Sequence, residues 1–118
     1  MLKIILQSLV FAIFCFSSTL AIAAEEGIAS YYSDIFQGKK TASGKLYDRN
    51  KLTAAHKTLA FGTKVKITDL KNNKSVVVTI TDRGPYSKKR MVDLSYAAAQ
   101  KIDLINAGIS KVRMELIK

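Results

Sequence analysis

The 118-residue chain has one cysteine, one histidine, one proline, and nine acidic residues against nineteen basic ones. The cysteine, Cys15, falls in an N-terminal apolar segment, so residues 24–118 contain no disulfide, no cysteine-bound zinc and no thiol nucleophile. With His56 as the only histidine, a His-rich metal centre is excluded, and a serine triad would rest on that residue alone. A Gly-x-Ser-x-Gly turn and a phosphate-cradling glycine loop are both missing. No metal and no cofactor is expected. Long apolar runs are scarce too: the longest, Leu9 to Phe16, falls well short of the roughly 20 residues that a bilayer span requires.

What is present begins with that run. Lys3, Leu9 to Phe16 and then Ala21-Ile22-Ala23 have the layout of a secretory signal with a small-residue cleavage site. Residues 1–23 are therefore expected to be a signal peptide and 24–118 a single domain. A permanent anchor is the weaker reading, because Gln7, Ser8 and Ser17-Ser18-Thr19 interrupt the segment. Lipidation at Cys15 is not expected, since Phe14 stands where a small residue is needed. The protein should reach the periplasm or cell envelope.

Without Lys3 the domain keeps a net charge of +9. Such a charge first suggests nucleic acid, but export argues against that partner. Outside the cytoplasm the abundant polyanions are envelope polymers and lipid head groups. Scattered lysines suit peripheral contact with them, and Lys88-Lys89-Arg90 is the one dense cluster. A monomer is expected.

The domain is mainly strand-like. Gly27 to Tyr32 alternates as a first strand, and Phe36 to Lys45, rich in Gly, Lys, Ser and Thr, predicts an exposed loop. Val65 to Thr68 and Val76 to Thr81 flank Lys71-Asn72-Asn73-Lys74 and predict a hairpin. The unbroken Val76-Val77-Val78 predicts a strand covered on both faces. One short helix is predicted over Tyr96 to Ile102, capped by Ser95, and a final half-buried strand over Lys111 to Lys118. These elements suggest a compact β-barrel closed by its own termini.

Chemistry must come from few groups. His56 beside Ala54-Ala55 is by default a structural hydrogen-bonding residue. Among the carboxylates, Asp82 stands out because it ends an apolar strand and precedes the turn Arg83-Gly84-Pro85. Held at a hydrophobic rim it would suit general acid work; equally, it would cap the turn by accepting backbone N–H groups. Asp93 is expected to tie a strand end to the helix start.

Several segments, taken in order, carry a resemblance: Gly27-Ile28-Ala29-Ser30-Tyr31-Tyr32, Thr41-Ala42-Ser43-Gly44, Tyr47-Asp48, Thr53 to Leu59, Phe61-Gly62-Thr63, Val76-Val77-Val78, Thr81 to Pro85, and Val92-Asp93-Leu94-Ser95. Together they resemble the rare lipoprotein A family across essentially the whole domain. That resemblance implies a six-stranded double-psi β-barrel, related to expansins, that cleaves peptidoglycan glycan strands lytically, preferably strands poor in stem peptides. It also implies Asp82 as the acid/base, with His56 and Asp48 in the same groove. Thr41, Lys45, Tyr47, Lys57 and Arg83 are the corresponding substrate-binding residues, the cations meeting the lactyl carboxylate of muramic acid.

In lytic cleavage the sugar's own 6-hydroxyl attacks the anomeric carbon, so no second carboxylate is needed to activate water. One departure stands out. Family members commonly carry a glutamate directly after the Thr-Ala-x-Gly stretch, and here that position is Lys45. If the glutamate shares in proton transfer, this chain binds glycan as an expansin-like module without cutting it; if it only shapes the groove, cleavage survives.

Overall fold

The structure, a computed structural model, describes residues 24–118; the signal peptide expected over 1–23 lies outside the described residues. Six strands form a closed barrel: β1 Ala24–Tyr31, β2 Thr53–His56, β3 Lys64–Asp69, β4 Ser75–Asp82, β5 Arg90–Leu94 and β6 Ser110–Leu116. One helix, α1 Tyr96–Lys101, packs against the barrel. Around the barrel the order is β1-β5-β2-β4-β3-β6, and β6 returns to pair with β1, so the terminal strands close the sheet as expected. Closure leaves no unpaired edge along the sheet.

The predicted hairpin is β3 and β4, antiparallel from Lys64↔Thr79 to Thr68↔Ser75. Asn73, in its turn, adopts φ 62°, the left-handed backbone that asparagine tolerates. The core is a set of inward branched side chains, including Val65, Ile67, Val78, Ile80, Val92 and Val112, all almost fully buried. Helix α1 closes one end with Ala98, Ala99 and, just beyond it, Ile102.

The expectation for Val76-Val77-Val78 is corrected. Val76 and Val78 are buried, but Val77 is 42% exposed. β4 lies in a barrel wall, so alternate side chains face the core and solvent even where both are valine.

Two pairings are parallel, β1 with β5 and β2 with β4, and each contains a bulge. In β4 the register passes from Ala54↔Ile80 to Ala55↔Asp82, leaving Thr81 as the extra residue. In β5 it passes from Ile28↔Arg90 to Ala29↔Val92, leaving Met91 extra. Bulges bend a strand and re-aim the side chains beside them. Here they precede the two aspartates of interest.

Candidate active site

Across the sheet the register aligns Ser30, Asp93, Ala55 and Asp82 on the neighbouring strands β1, β5, β2 and β4. Two carboxylates therefore flank one alanine, whose small side chain leaves room above it. Both aspartates and Ala55 line a cavity of about 840 Å³. Tyr32 and Phe36 form part of its wall, and Tyr86, 94% exposed, stands at its rim.

Asp82 is held from three sides. Its Oδ1 accepts N–H bonds from Ala42 at 2.8 Å and Arg83 at 2.9 Å, and its Oδ2 accepts the Tyr32 hydroxyl at 2.6 Å. The Ala42 contact exists because the loop after Thr41 docks on the end of β4, where the Ser43 N–H donates to the Thr81 carbonyl. Gly84, at φ +133°, allows the chain to turn away directly afterwards. Asp82 thus does accept backbone N–H groups at the turn, while its carboxylate also faces the cavity. These two arrangements coexist.

Burial, followed by the hydrogen bond to Asp82 and the charges of Asp82 and Asp93, pushes the Tyr32 phenol well above its ordinary range. Tyr32 is consequently a permanent donor. Asp93 accepts the Ser30 hydroxyl and lies 3.3 Å from Arg90 Nε. It links β5 to β1 rather than to the helix start, which Ser95 caps, and it also lines the cavity.

The other expected site residues are distributed. Thr41 and Arg83 join Asp82 at the cavity. The Arg83 guanidinium donates to the carbonyls of His56 and Leu59 and sits 4.2 Å from the centre of the Phe61 ring. His56 and Lys57 instead line a neighbouring depression of about 380 Å³ with Glu25, Lys88, Lys89 and Arg90. Arg90 borders both spaces. His56 Nδ1 accepts N–H bonds from Thr58 and Leu59, both at 3.1 Å, and its Nε2 is 3.9 Å from Glu25. Burial, with the Arg83 and Lys57 charges, outweighs Glu25 and holds its pKa below the usual value. The side chain that bonds the Asp82 carboxylate is that of Tyr32, not of His56.

Asp48 and Lys45 share a third depression, of about 270 Å³, with Thr79 and Thr81, apart from the Asp82 cavity. They form no ion pair with each other, and Asp48 accepts the Asn50 N–H. Tyr47 is 4% exposed: Tyr32 stacks on its ring at 4.4 Å, and its hydroxyl accepts the Tyr96 N–H. Tyr47 supports Tyr32 from beneath, which leaves it no free face for a sugar. Sequence reasoning passed over Tyr32, Phe36, Tyr86 and Arg90. Only the repeated tyrosine of Tyr31-Tyr32 offered a signal, since alternation puts the two on opposite faces of one strand.

Residues 24–114 match the family model described as "Lytic transglycolase". Curated relatives include the endolytic peptidoglycan transglycosylase RlpA of Pasteurella multocida, 53% identical over 95 residues, and the probable enzyme of that name from Treponema pallidum, 52% identical over 91. Those matches take in 80% and 77% of this chain but 32% and 29% of the relatives, so the chain spans about a third of their length. Among solved structures, the Streptomyces papain inhibitor superposes with a TM-score of 0.66 at 20% identity, over 80% of this chain and 94% of its own. An apo expansin from Clavibacter michiganensis gives 0.64 at 23% identity, over 80% and 50%. At such identities the shared property is the fold, a double-psi β-barrel. With its family model matched over nearly all the described residues, the chain belongs to the lytic transglycolase family.

Proposed function

We propose that this protein is an exported lytic transglycosylase that cuts peptidoglycan glycan strands and leaves 1,6-anhydromuramyl ends. The observation that carries the reading is the Asp82 carboxyl, fixed by three hydrogen bonds in the wall of an 840 Å³ cavity. The likeness to the transglycosylases of Pasteurella and Treponema supports it.

In the reaction, protonated Asp82 gives its proton to the glycosidic oxygen as the bond to the anomeric carbon breaks. The muramyl 6-hydroxyl then bonds to that carbon, and its proton passes to the Asp82 carboxylate. One group serves as acid and then base, no water is consumed, and the enzyme ends as it began. Asp93, paired with Arg90, lies one strand beyond Ala55 and sets negative charge near the carbon that becomes cationic. Tyr86 and Phe36 offer apolar faces for sugar rings, and Thr41, Lys57 and Arg83 supply polar contacts. Residues 1–23 serve as the export signal, and the basic surface keeps the monomer near the envelope.

The test is product chemistry. Purified glycan strands, with and without stem peptides, are incubated with the protein and analysed by mass spectrometry. Anhydromuramyl ends are expected; new reducing ends would instead indicate hydrolysis with Asp82 and Asp93 acting as a carboxylate pair.

Lys45 favours a second reading, a wall-binding module that does not cut. It predicts strand binding without new ends of either kind. Lys45→Glu distinguishes the cases: a gain of product on that change means that the lysine has moved the protein toward binding, whereas an unchanged rate places position 45 outside the chemistry. Its location in a depression separate from Asp82 supports the latter.

A further inference from the structure

The two oxygens of Asp82 are not equivalent. Oδ1 accepts two backbone N–H groups, from Ala42 and Arg83, which fills both of its lone-pair positions. Oδ2 accepts a single bond, from the Tyr32 hydroxyl, and keeps one lone pair unfilled. Asp82 and Tyr32 line the same cavity. We infer that Oδ2 carries the transferred proton and that Tyr32 is the positioning residue that aims it, an assignment that rests on Asp82 being the acid/base of the proposed reaction.

Tyr32 is built for that task. Its ring stacks on Tyr47 at an interplanar angle of 12°, and Phe36 meets it edge-on at 5.8 Å. Tyr47 is in turn fixed to the start of α1 through the Tyr96 N–H. The Tyr32 backbone N–H donates to the Leu94 carbonyl at 2.9 Å, which extends the pairing of β1 with β5 by one residue. The hydroxyl is therefore locked at both ring and backbone. Raised by burial and by the neighbouring carboxylates, it keeps its proton throughout.

The consequence appears as charge develops. When Oδ2 releases its proton to the glycosidic oxygen, the Tyr32 hydroxyl becomes a charge-assisted donor to the new carboxylate, and such bonds are stronger than neutral ones. The gain arises in the transition state, so it lowers the barrier without tightening substrate binding. Tyr32 neither gains nor loses a proton in either half of the reaction.

The experiment measures kcat and KM on peptide-free glycan strands for the wild type, Tyr32→Phe, Asp82→Asn and the double variant, with thermal melting of each. Tyr32→Phe keeps the ring contacts and removes the donor. It is expected to lower kcat on the order of 10- to 100-fold, the scale of a lost hydrogen bond to a charged group, with KM and melting temperature little changed. The double variant is expected to be no slower than Asp82→Asn, because the hydroxyl acts only through that carboxylate. Wild-type kcat in Tyr32→Phe with an inactive Asp82→Asn overturns the role of Tyr32 and leaves the proposed function standing. An active Asp82→Asn overturns the proposed function itself. Additive losses, a raised KM with kcat unchanged, or unfolding of Tyr32→Phe would each show a binding or structural role instead.

Discussion

His56 meets charges of both signs: Glu25 on one side, Arg83 and Lys57 on the other. Burial is the largest influence, and it holds the folded pKa below the ordinary 6.5. On acidification the unfolded chain therefore takes up the proton first. Stability from this residue is complete above about pH 6.5 and falls as the pH drops below it. Melting curves should show His56→Asn losing less stability than the wild type across that interval; parallel losses would assign the slope to other groups. Gly27 makes a separate demand. A Cβ there would lie 2.8 Å from Met91 Cβ, because the bulged residue of β5 crosses β1 at that point. Gly27→Ala is expected to cost about 1–3 kcal/mol by overpacking, read as a lower melting temperature. No change would mean that Met91 swings clear.

At the scale of elements, Ser95 joins α1 to the barrel. Fully buried, its Oγ accepts the Ala98 N–H at 3.2 Å and the Thr53 N–H at 3.3 Å. Ser95→Ala strips a cap from a six-residue helix and leaves a β2 donor short of a partner. A loss of about 1–3 kcal/mol in denaturant unfolding is expected, and a loss near zero would show that Thr53 finds another acceptor. The helix and its cap were legible from Ser95 and three alanines, and the hairpin from valines around Asn72-Asn73. β2 was not. Thr53-Ala54-Ala55-His56 lacks the branched run that marks a strand, and its extended form comes from pairing with β4 on one side and β5 on the other. Tertiary context decides such segments.

The whole molecule assembles its site from distant parts. Tyr32, Ala42, Asp82 and Asp93 come from four segments that only barrel closure brings together. Asp82 was legible because a polar residue ending an apolar strand before Gly-Pro is conspicuous in sequence. Its partners were not, since nothing in the local pattern of Tyr31-Tyr32 or Val92-Asp93 records what lies across the sheet. The resemblance grouped Asp48 and His56 with Asp82, whereas the fold puts them in adjoining or separate depressions. Charge acts at this scale too. With a net +9 over residues 24–118, sacculus binding should weaken as salt rises even in Asp82→Asn, because exposed charges are screened. Binding independent of salt would transfer the affinity to neutral sugar contacts.

The central claim is that the Asp82 carboxyl moves the proton. Its most direct test is the rate at which Asp82→Asn forms anhydromuramyl ends from purified glycan strands. The amide preserves the side chain's shape and much of its hydrogen bonding but cannot act as the acid. A loss on the order of 10² to 10⁴, with melting temperature and sacculus binding retained, is the predicted result. Anhydromuramyl product formed by Asp82→Asn at the wild-type rate would contradict it.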